Sequence, residues 1–267
     1  MTKFELNGAR VLITGAGSGI GKLLAIAAAS QGAEIILWDL NLEAAKGVSE
    51  HIVRRGGKAS AQQVDISDPK AVSAAASVAG EIDVLVNNAG IVTGKHLLES
   101  SPEEIQKTYA VNTLSLYWTT QAFLGGMIER NHGKVVTVAS AAGLIGVAKQ
   151  SDYSASKHAA VGFSESLRAE LRTLKSKVTT LTFCPYYINT GMFEGVRTRF
   201  PLILPILDQK RVVRRVIRSI QNNDRMLVLP WIVRLIPAMR LLPVPLFDAL
   251  ADLLGINQTM DKFTGRR

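Results

Sequence analysis

Near its N-terminus the chain passes from a short apolar run, Ala9–Thr14, through a loop with four glycines, Gly15-Ala-Gly-Ser-Gly-Ile-Gly21, into a helical run, Lys22–Ser30. A run this short and apolar reads as a strand buried on both faces, which belongs in a parallel sheet. Glycines at the joint let backbone approach a pyrophosphate without a Cβ in the way. The helix N-terminus beyond them offers N–H groups and the positive end of its dipole. The joint therefore predicts a dinucleotide site, with Gly15, Ser18, Gly19, Ile20 and Gly21 as its phosphate-side contacts.

The alternation continues. Glu34–Trp38 reads as a second strand ending at Asp39, 18 residues beyond Gly21. A carboxylate there suits ribose hydroxyls and repels a 2′-phosphate, which points to NAD(H). No arginine follows in Leu40–Glu43, although Lys22 lies in the glycine helix, and Asp39 could also cap the helix Leu42–Arg54. A third strand ends near Val64-Asp65-Ile66, and Asp68-Pro69 opens another helix by cap and N1 proline. Ile82–Val86 is a fourth strand and runs into Asn87-Asn88-Ala89-Gly90. Gly133–Ser140, Val178–Cys184 and Met226–Leu229 complete the set, with helical segments Ser101–Glu129, Asp152–Leu174 and Arg211–Ile220 between them. This order predicts an α/β protein, a doubly wound parallel sheet with helices on both faces. With 267 residues, 47% of them hydrophobic, the chain suffices for one core, so a single domain over 1–267 is expected.

The stretch from Ser140 to Lys157 carries the chemistry. Tyr153 and Lys157 are four residues apart, so on a helix their side chains share one face. A cation beside a phenol favours the phenolate and draws its pKa down from about 10 toward the working range, where Tyr153 can act as acid or base. Ser140 closes the preceding strand. Gly143 and Gly146 let the segment loop back and bring the Ser140 hydroxyl beside the phenol, where it can hold a carbonyl oxygen.

Ser140, Tyr153 and Lys157 resemble the catalytic triad of the short-chain dehydrogenase/reductase family. Thr14-Gly15 with Gly19 and Gly21 (T-G-x-x-x-G-x-G) and Asn87–Gly90 resemble two more of its signatures. The resemblance covers Arg10 to about Thr190 and implies a Rossmann fold and NAD-linked oxidoreduction of an alcohol or carbonyl. It places Asp65 and Ile66 at the adenine, Asn88, Ala89 and Gly90 along the cofactor, and Tyr153 and Lys157 on both cofactor and substrate. It makes Asn112 the holder of a proton-relay water. Pro185, Ile188 and Thr190 match the family's nicotinamide-amide segment, whereas Tyr186 stands where the pattern has glycine. With Thr190–Phe193, Arg197–Pro201 and Lys262–Arg266, that departure resembles the retinol dehydrogenases and membrane-associated hydroxysteroid dehydrogenases. The implied substrate is a lipophilic small molecule: a retinoid, a steroid or a long-chain alcohol. The competing readings are an NAD(H)-sensing protein without turnover and a 3-oxoacyl reductase, the latter disfavoured by Asp39.

The single cysteine, Cys184, reads as core; it precludes an intrachain disulfide and fits a reducing, cytoplasmic setting. No metal site is expected. The sequence shows no secretory h-region and no membrane-spanning run, so the protein is expected to be neither secreted nor threaded through a bilayer. The net charge of +9 is local: residues 197–240 hold ten basic and two acidic side chains. That argues against a nucleic-acid partner, whose footprint would come with a recognition motif. Residues 186–225 are expected to form a substrate loop and helix, with 191–207 as an apolar wall, and 230–267 a C-terminal extension. Arg211, Arg214, Arg215 and Arg218 fall on one side of a helix and Val212, Val213, Val216, Ile217 and Ile220 on the other. Across 197–255 this allows either ordinary packing or peripheral contact with a membrane. The helix Asp152–Leu174 is apolar on two faces, which calls for a second partner and, by the resemblance, a homodimer or homotetramer. Tyr109 reads as core or interface.

Overall fold

The computed structural model describes residues 3–265; Arg266, the end of the Lys262–Arg266 motif, lies outside the described residues. Seven strands form one parallel sheet: β1 (Arg10–Thr14), β2 (Glu34–Asp39), β3 (Lys58–Gln63), β4 (Val84–Asn87), β5 (Lys134–Val138), β6 (Thr179–Pro185) and β7 (Met226–Leu229), in the order β3-β2-β1-β4-β5-β6-β7. The doubly wound Rossmann sheet expected from the sequence is present. Most strand ends differ from expectation by one or two residues; β3 stops at Gln63, so Asp65 and Ile66 lie in the loop beyond it.

Alternation in a pleated strand sends neighbouring side chains to opposite faces. Val11 and Ile13 of β1 therefore join one core cluster, and Leu12 joins the other. The first face is covered by α1 (Gly19–Ala29), α2 (Leu42–Val53) and α7 (Gln209–Gln221). The second is covered by α3 (Pro69–Ala79), α5 (Ser115–Glu129) and α6 (Ser151–Thr173). On α7 all five apolar residues named above are buried and all four arginines are exposed. Burying each such side chain is worth about 1.5–3 kcal/mol, which explains the helix's amphipathicity without a membrane.

Caps follow the sequence closely. Asp68 caps α3 ahead of Pro69, and Ser101 and Glu104 form a capping box on α4 (Pro102–Tyr109). The cap of α2, however, is Asn41, whose side chain accepts from the Ala44 N–H at 3.0 Å. Asp39 is not the cap; its carboxylate is engaged elsewhere.

Three other expectations change. The segment Ser101–Glu129 is not one helix: α4 and α5 are separated by a π-helical turn, Ala110–Leu114, that carries Asn112. The two apolar faces of α6 are satisfied within this chain. Leu167 and Leu171 pack into the second face's core, and Ala160 and Val161 pack against Ala141 and Ile145 beside the site. Tyr109 is not core; it lies at the surface with Leu114 and Tyr117.

Candidate active site

The chain leaves β1 toward β2 and β3, then returns to β4 on the other side of β1. At such a reversal the loops beyond the strand ends part and leave a crevice. Here the glycine loop folds against Asn87–Gly90. Asn88 Nδ2 donates to the carbonyls of Thr14 (2.9 Å) and Gly15 (3.1 Å), while Thr14 Oγ1 accepts from the N–H groups of Asn88 (3.0 Å) and Ala89 (3.1 Å). A Cβ at Gly21 would stand 2.5 Å from Asn88 Nδ2 and closer still to the Gly15 carbonyl, so only glycine permits this fold. At the far end of the groove, Asp39 Oδ2 accepts from Gly17 N (2.8 Å) and Oδ1 from Asn41 N (2.9 Å). Sequence reasoning passed over Gly17, although a Cβ there would come within 3.0 Å of the Asp39 carboxylate. Asp65 accepts from the Ser67 N–H and hydroxyl at 2.9 and 2.6 Å, and Ile66 is buried beside it. Lys22 is exposed and lines none of this; the cations lining the cavity are Lys107 and Lys157.

The groove is continuous with a chamber around Tyr153, a single cavity of about 390 Å³. All the predicted site residues line it except Gly21 and Asn112, which stand behind it. Ser140 ends its strand segment as the cap of a short turn, its Oγ accepting from Ala142 N at 3.1 Å. It is also hydrogen-bonded to the Tyr153 phenol. Lys157 Nζ lies 5.7 Å from the centre of the Tyr153 ring and donates to the Val138 carbonyl at 2.9 Å.

The electrostatics differ from the sequence expectation. Burial dominates and raises the phenol of Tyr153 above its ordinary value; the Ser140 hydrogen bond opposes this, and the neighbouring Tyr187 adds to it. Lys157 is pushed down to about 8, again mainly by burial. The cation does not by itself bring the phenol down, because both groups are desolvated together. Cys184, beneath the site, is buried and its thiol is pushed up to about 12 by burial, which makes it inert core.

Asn112 stands behind the cavity, against Gly90. A Cβ on Gly90 would lie 3.2 Å from Asn112 Oδ1 and 3.4 Å from Lys157 Nζ, so both polar groups face the same backbone. Asn112 Oδ1 accepts from Ile91 N (2.9 Å), and its Nδ2 donates to Ile91 O (2.9 Å) and Ser156 Oγ (3.1 Å). Single π turns inside helices are frequent at functional sites.

Beyond Tyr153 the chamber is apolar. Phe193 meets the Tyr153 ring edge-on at 5.8 Å and Tyr187 at 5.0 Å. Tyr187 is fixed by hydrogen bonds to Gln150 (3.2 Å) and Thr259 (2.9 Å). Tyr186 stands at the position expected for glycine; among the described residues its buried hydroxyl has no hydrogen-bond partner, and burial raises its pKa. Val233, Ile236 and Ile256 from the tail close the outer wall with Leu204. Sequence analysis placed an apolar wall at 191–207. Phe193 enters it only as the end of the Thr190–Phe193 motif, and Gln150 and the individual tail residues carry no signal of their own in the sequence.

A parallel sheet with a glycine-lined crevice at its reversal point, a carboxylate at the crevice's end and a buried phenol, hydroxyl and ammonium at its mouth defines a dinucleotide-linked oxidoreductase. Residues 9–200 match the short chain dehydrogenase family, and the chain belongs to it. It is 41% identical over 267 residues to epidermal retinol dehydrogenase 2 of Mus musculus, a match covering 96% of this chain and 85% of that one. Among solved structures it resembles a short chain dehydrogenase/reductase from Burkholderia phymatum in complex with NAD (TM-score 0.81, 27% identity, 89% and 94% of the two chains). It also resembles a metagenomic short-chain oxidoreductase in complex with NADP (TM-score 0.69, 28% identity, 84% and 96%). The protein is therefore an enzyme that works with a nicotinamide dinucleotide.

Proposed function

We propose that the protein interconverts a hydrophobic alcohol and its carbonyl compound with NAD(H), the substrate being of retinoid, steroid or long-chain type. The observation that carries this reading is the convergence of Ser140, Tyr153 and Lys157 at the junction of the glycine-lined groove and an apolar chamber. The groove residues fit a dinucleotide: backbone lies where a Cβ would block, and Asp39 closes the ribose end. When bound, the nicotinamide ring supplies or accepts the hydride. Ser140 donates to the substrate oxygen and orients it. Tyr153, held protonated by burial, gives that oxygen a proton during reduction and takes it back during oxidation. Lys157 supplies the positive charge that offsets a developing phenolate, and Asn112 braces the backbone between Lys157 and the groove. The aromatic and aliphatic lining excludes water and selects apolar substrates.

The preference for NAD(H) rests on Asp39 and on the lack of a basic side chain among the lining residues beside it. Measuring kcat/KM with NADH and NADPH on a panel of retinoid, steroid and long-chain carbonyls tests both parts. NADH is expected to be preferred, Asp39→Ala to narrow the gap, and an apolar carbonyl to be the best substrate. A wild-type preference for NADPH, or activity confined to small polar carbonyls, would overturn the reading.

Two features support a setting for this chemistry. Tyr109 of α4, Leu114 of the π turn and Tyr117 of α5 are exposed apolar side chains, suited to pairing with a second copy in a homodimer or homotetramer. In the segments that supply the chamber's outer wall, Leu202, Ile206, Trp231, Leu235, Leu241 and Val244 are exposed, as are Arg197, Arg199, Arg234 and Arg240. An apolar surface fringed by arginine suits an anionic bilayer, from which lipophilic substrate would enter without crossing water. No helix of the described residues is long and apolar enough to cross a membrane.

A further inference from the structure

Asp152 immediately precedes Tyr153 and is buried, 5% exposed, although it does not line the cavity. Among the described residues no cationic side chain pairs with its carboxylate. Instead it takes hydroxyl groups from two other elements. Thr93 Oγ1 donates to both oxygens, at 3.0 and 2.8 Å, and Thr108 Oγ1 reaches Oδ2 at 2.9 Å. Thr108 is fully buried in the last turn of α4, and Thr93 is in the extended loop that follows Gly90.

The arrangement repeats the one around Asn112, one step along each element. Asn112 joins Ile91, on the same loop, to Ser156 of α6. Ile91 and Thr93 are two residues apart, Thr108 and Asn112 four, Asp152 and Ser156 four. Ile91 takes part through its backbone and Thr93 through its hydroxyl, while Asp152 and Ser156 stand one turn apart on the same face of α6. Loop, α4 and α6 are thus joined by two parallel rungs. The α6 ends of those rungs, Asp152 and Ser156, bracket Tyr153 in the sequence.

We infer that Asp152, through Thr93 and Thr108, is a positioning residue for Tyr153, a role that rests on the catalytic reading above. Packing already holds the length of α6; the two rungs tie its first turns to the loop that flanks the cofactor groove, and with them the direction of the phenol. The turn between Thr108 and Asn112 is where the π-helical irregularity begins, so the extra residue of that turn sets the spacing at which both rungs close. A carboxylate suits this place because it accepts several hydroxyl hydrogens at once.

The test uses Thr93→Val/Thr108→Val, which keeps side-chain volume and removes every donor to Asp152, alongside Asp152→Ala. Rates are measured with NADH and with NADH deuterated at the transferred position, together with NADH affinity by fluorescence titration. A misaligned proton donor is expected to lower kcat on the order of ten- to a hundredfold and to raise the isotope effect on kcat, with NADH affinity nearly unchanged. Thr93→Ser, which keeps the hydroxyl, should recover most of the loss seen with Thr93→Val. Wild-type kcat and isotope effect in the double variant would overturn the inference. So would a loss matched by an equal loss of NADH-binding protein with the isotope effect unchanged, since that marks a purely structural rung. If Asp152→Ala does not fold, the threonine variants decide alone. Tyr153→Phe is the control: full activity there would remove the catalytic reading itself, whereas an inactive Tyr153→Phe beside an unaffected double variant would remove only the role of Asp152.

Discussion

Tyr153 and Lys157 are both buried, and burial disfavours the charged form of each, raising the phenol and lowering the ammonium to about 8. At neutral pH the pair is therefore a neutral phenol beside a mostly charged lysine, which suits proton donation to a carbonyl oxygen. Deprotonating Lys157 removes the charge that offsets a developing phenolate. With a folded-state value depressed from 10.5 to about 8, that charge is present below about pH 8 and is lost above it. The kcat for carbonyl reduction should be level on the acid side of this value and fall on the alkaline side. Lys157→Arg, whose guanidinium keeps its proton beyond about pH 12, should move the fall upward. A reduction rate unchanged from about pH 7 to about pH 10 would contradict this assignment. Spacing alone brought Tyr153 to Lys157 and placed Ser140 within reach. It could not say that desolvation outweighs the attraction between phenol and ammonium, because burial is set by residues far away in sequence, such as Phe193 and Ile256.

Among the elements, those with a regular period were readable and those that break a period were not. The run Arg211–Ile220 gave its buried and exposed sides residue by residue, because five apolar and four basic side chains alternate at helical spacing. The break between α4 and α5 had no such sign; a π turn needs no glycine or proline, and this one coincides with the bonds of Asn112 to Ile91 and Ser156, residues distant in sequence. The start of β5 hides another feature. Lys134 is fully buried, its ammonium donating to Asn223 Oδ1 at 2.8 Å and lying 5.5 Å from the centre of the Phe4 ring. Burial lowers it from 10.5 to about 8. The unfolded chain then binds more protons than the folded one between about pH 8 and about pH 10.5, so this lysine's contribution to stability rises with pH across that window and is lost below it. Thermal melts should show the rise in wild type and a smaller one in Lys134→Met, with Lys157 left as the other buried lysine. An identical slope in both proteins would mean that Lys134 is not the group responsible.

For the whole molecule, the sheet follows from six short apolar runs and the half-exposed β3, and its reversal between β1 and β4 brings the glycine loop and Asn87–Gly90 together at one end. The outer cover of the chamber was less readable, since residues 231–253 mix prolines, arginines and apolar side chains without a clean period. Its exposed apolar residues and Arg197, Arg199, Arg234 and Arg240 are the proposed lipid face, whereas the arginines of α7 run along the first face of the sheet, away from the chamber, as the helix descends from its cap at Asp208 toward the start of β7. Flotation with anionic liposomes at low salt should carry the protein, with binding weakened by salt because screening shortens to about 8 Å at physiological ionic strength. Trp231→Ser/Leu241→Ser should release it, and no flotation at all would leave the cover as ordinary packing or an oligomer contact. The central claim is tested most directly by a single-turnover experiment on Tyr153→Phe, with NADH and a long-chain or retinoid aldehyde. NADH should bind the variant as it binds wild type while hydride transfer slows by about a hundredfold to ten-thousandfold, the usual worth of a positioned acid. Hydride transfer at the wild-type rate in Tyr153→Phe would contradict the account.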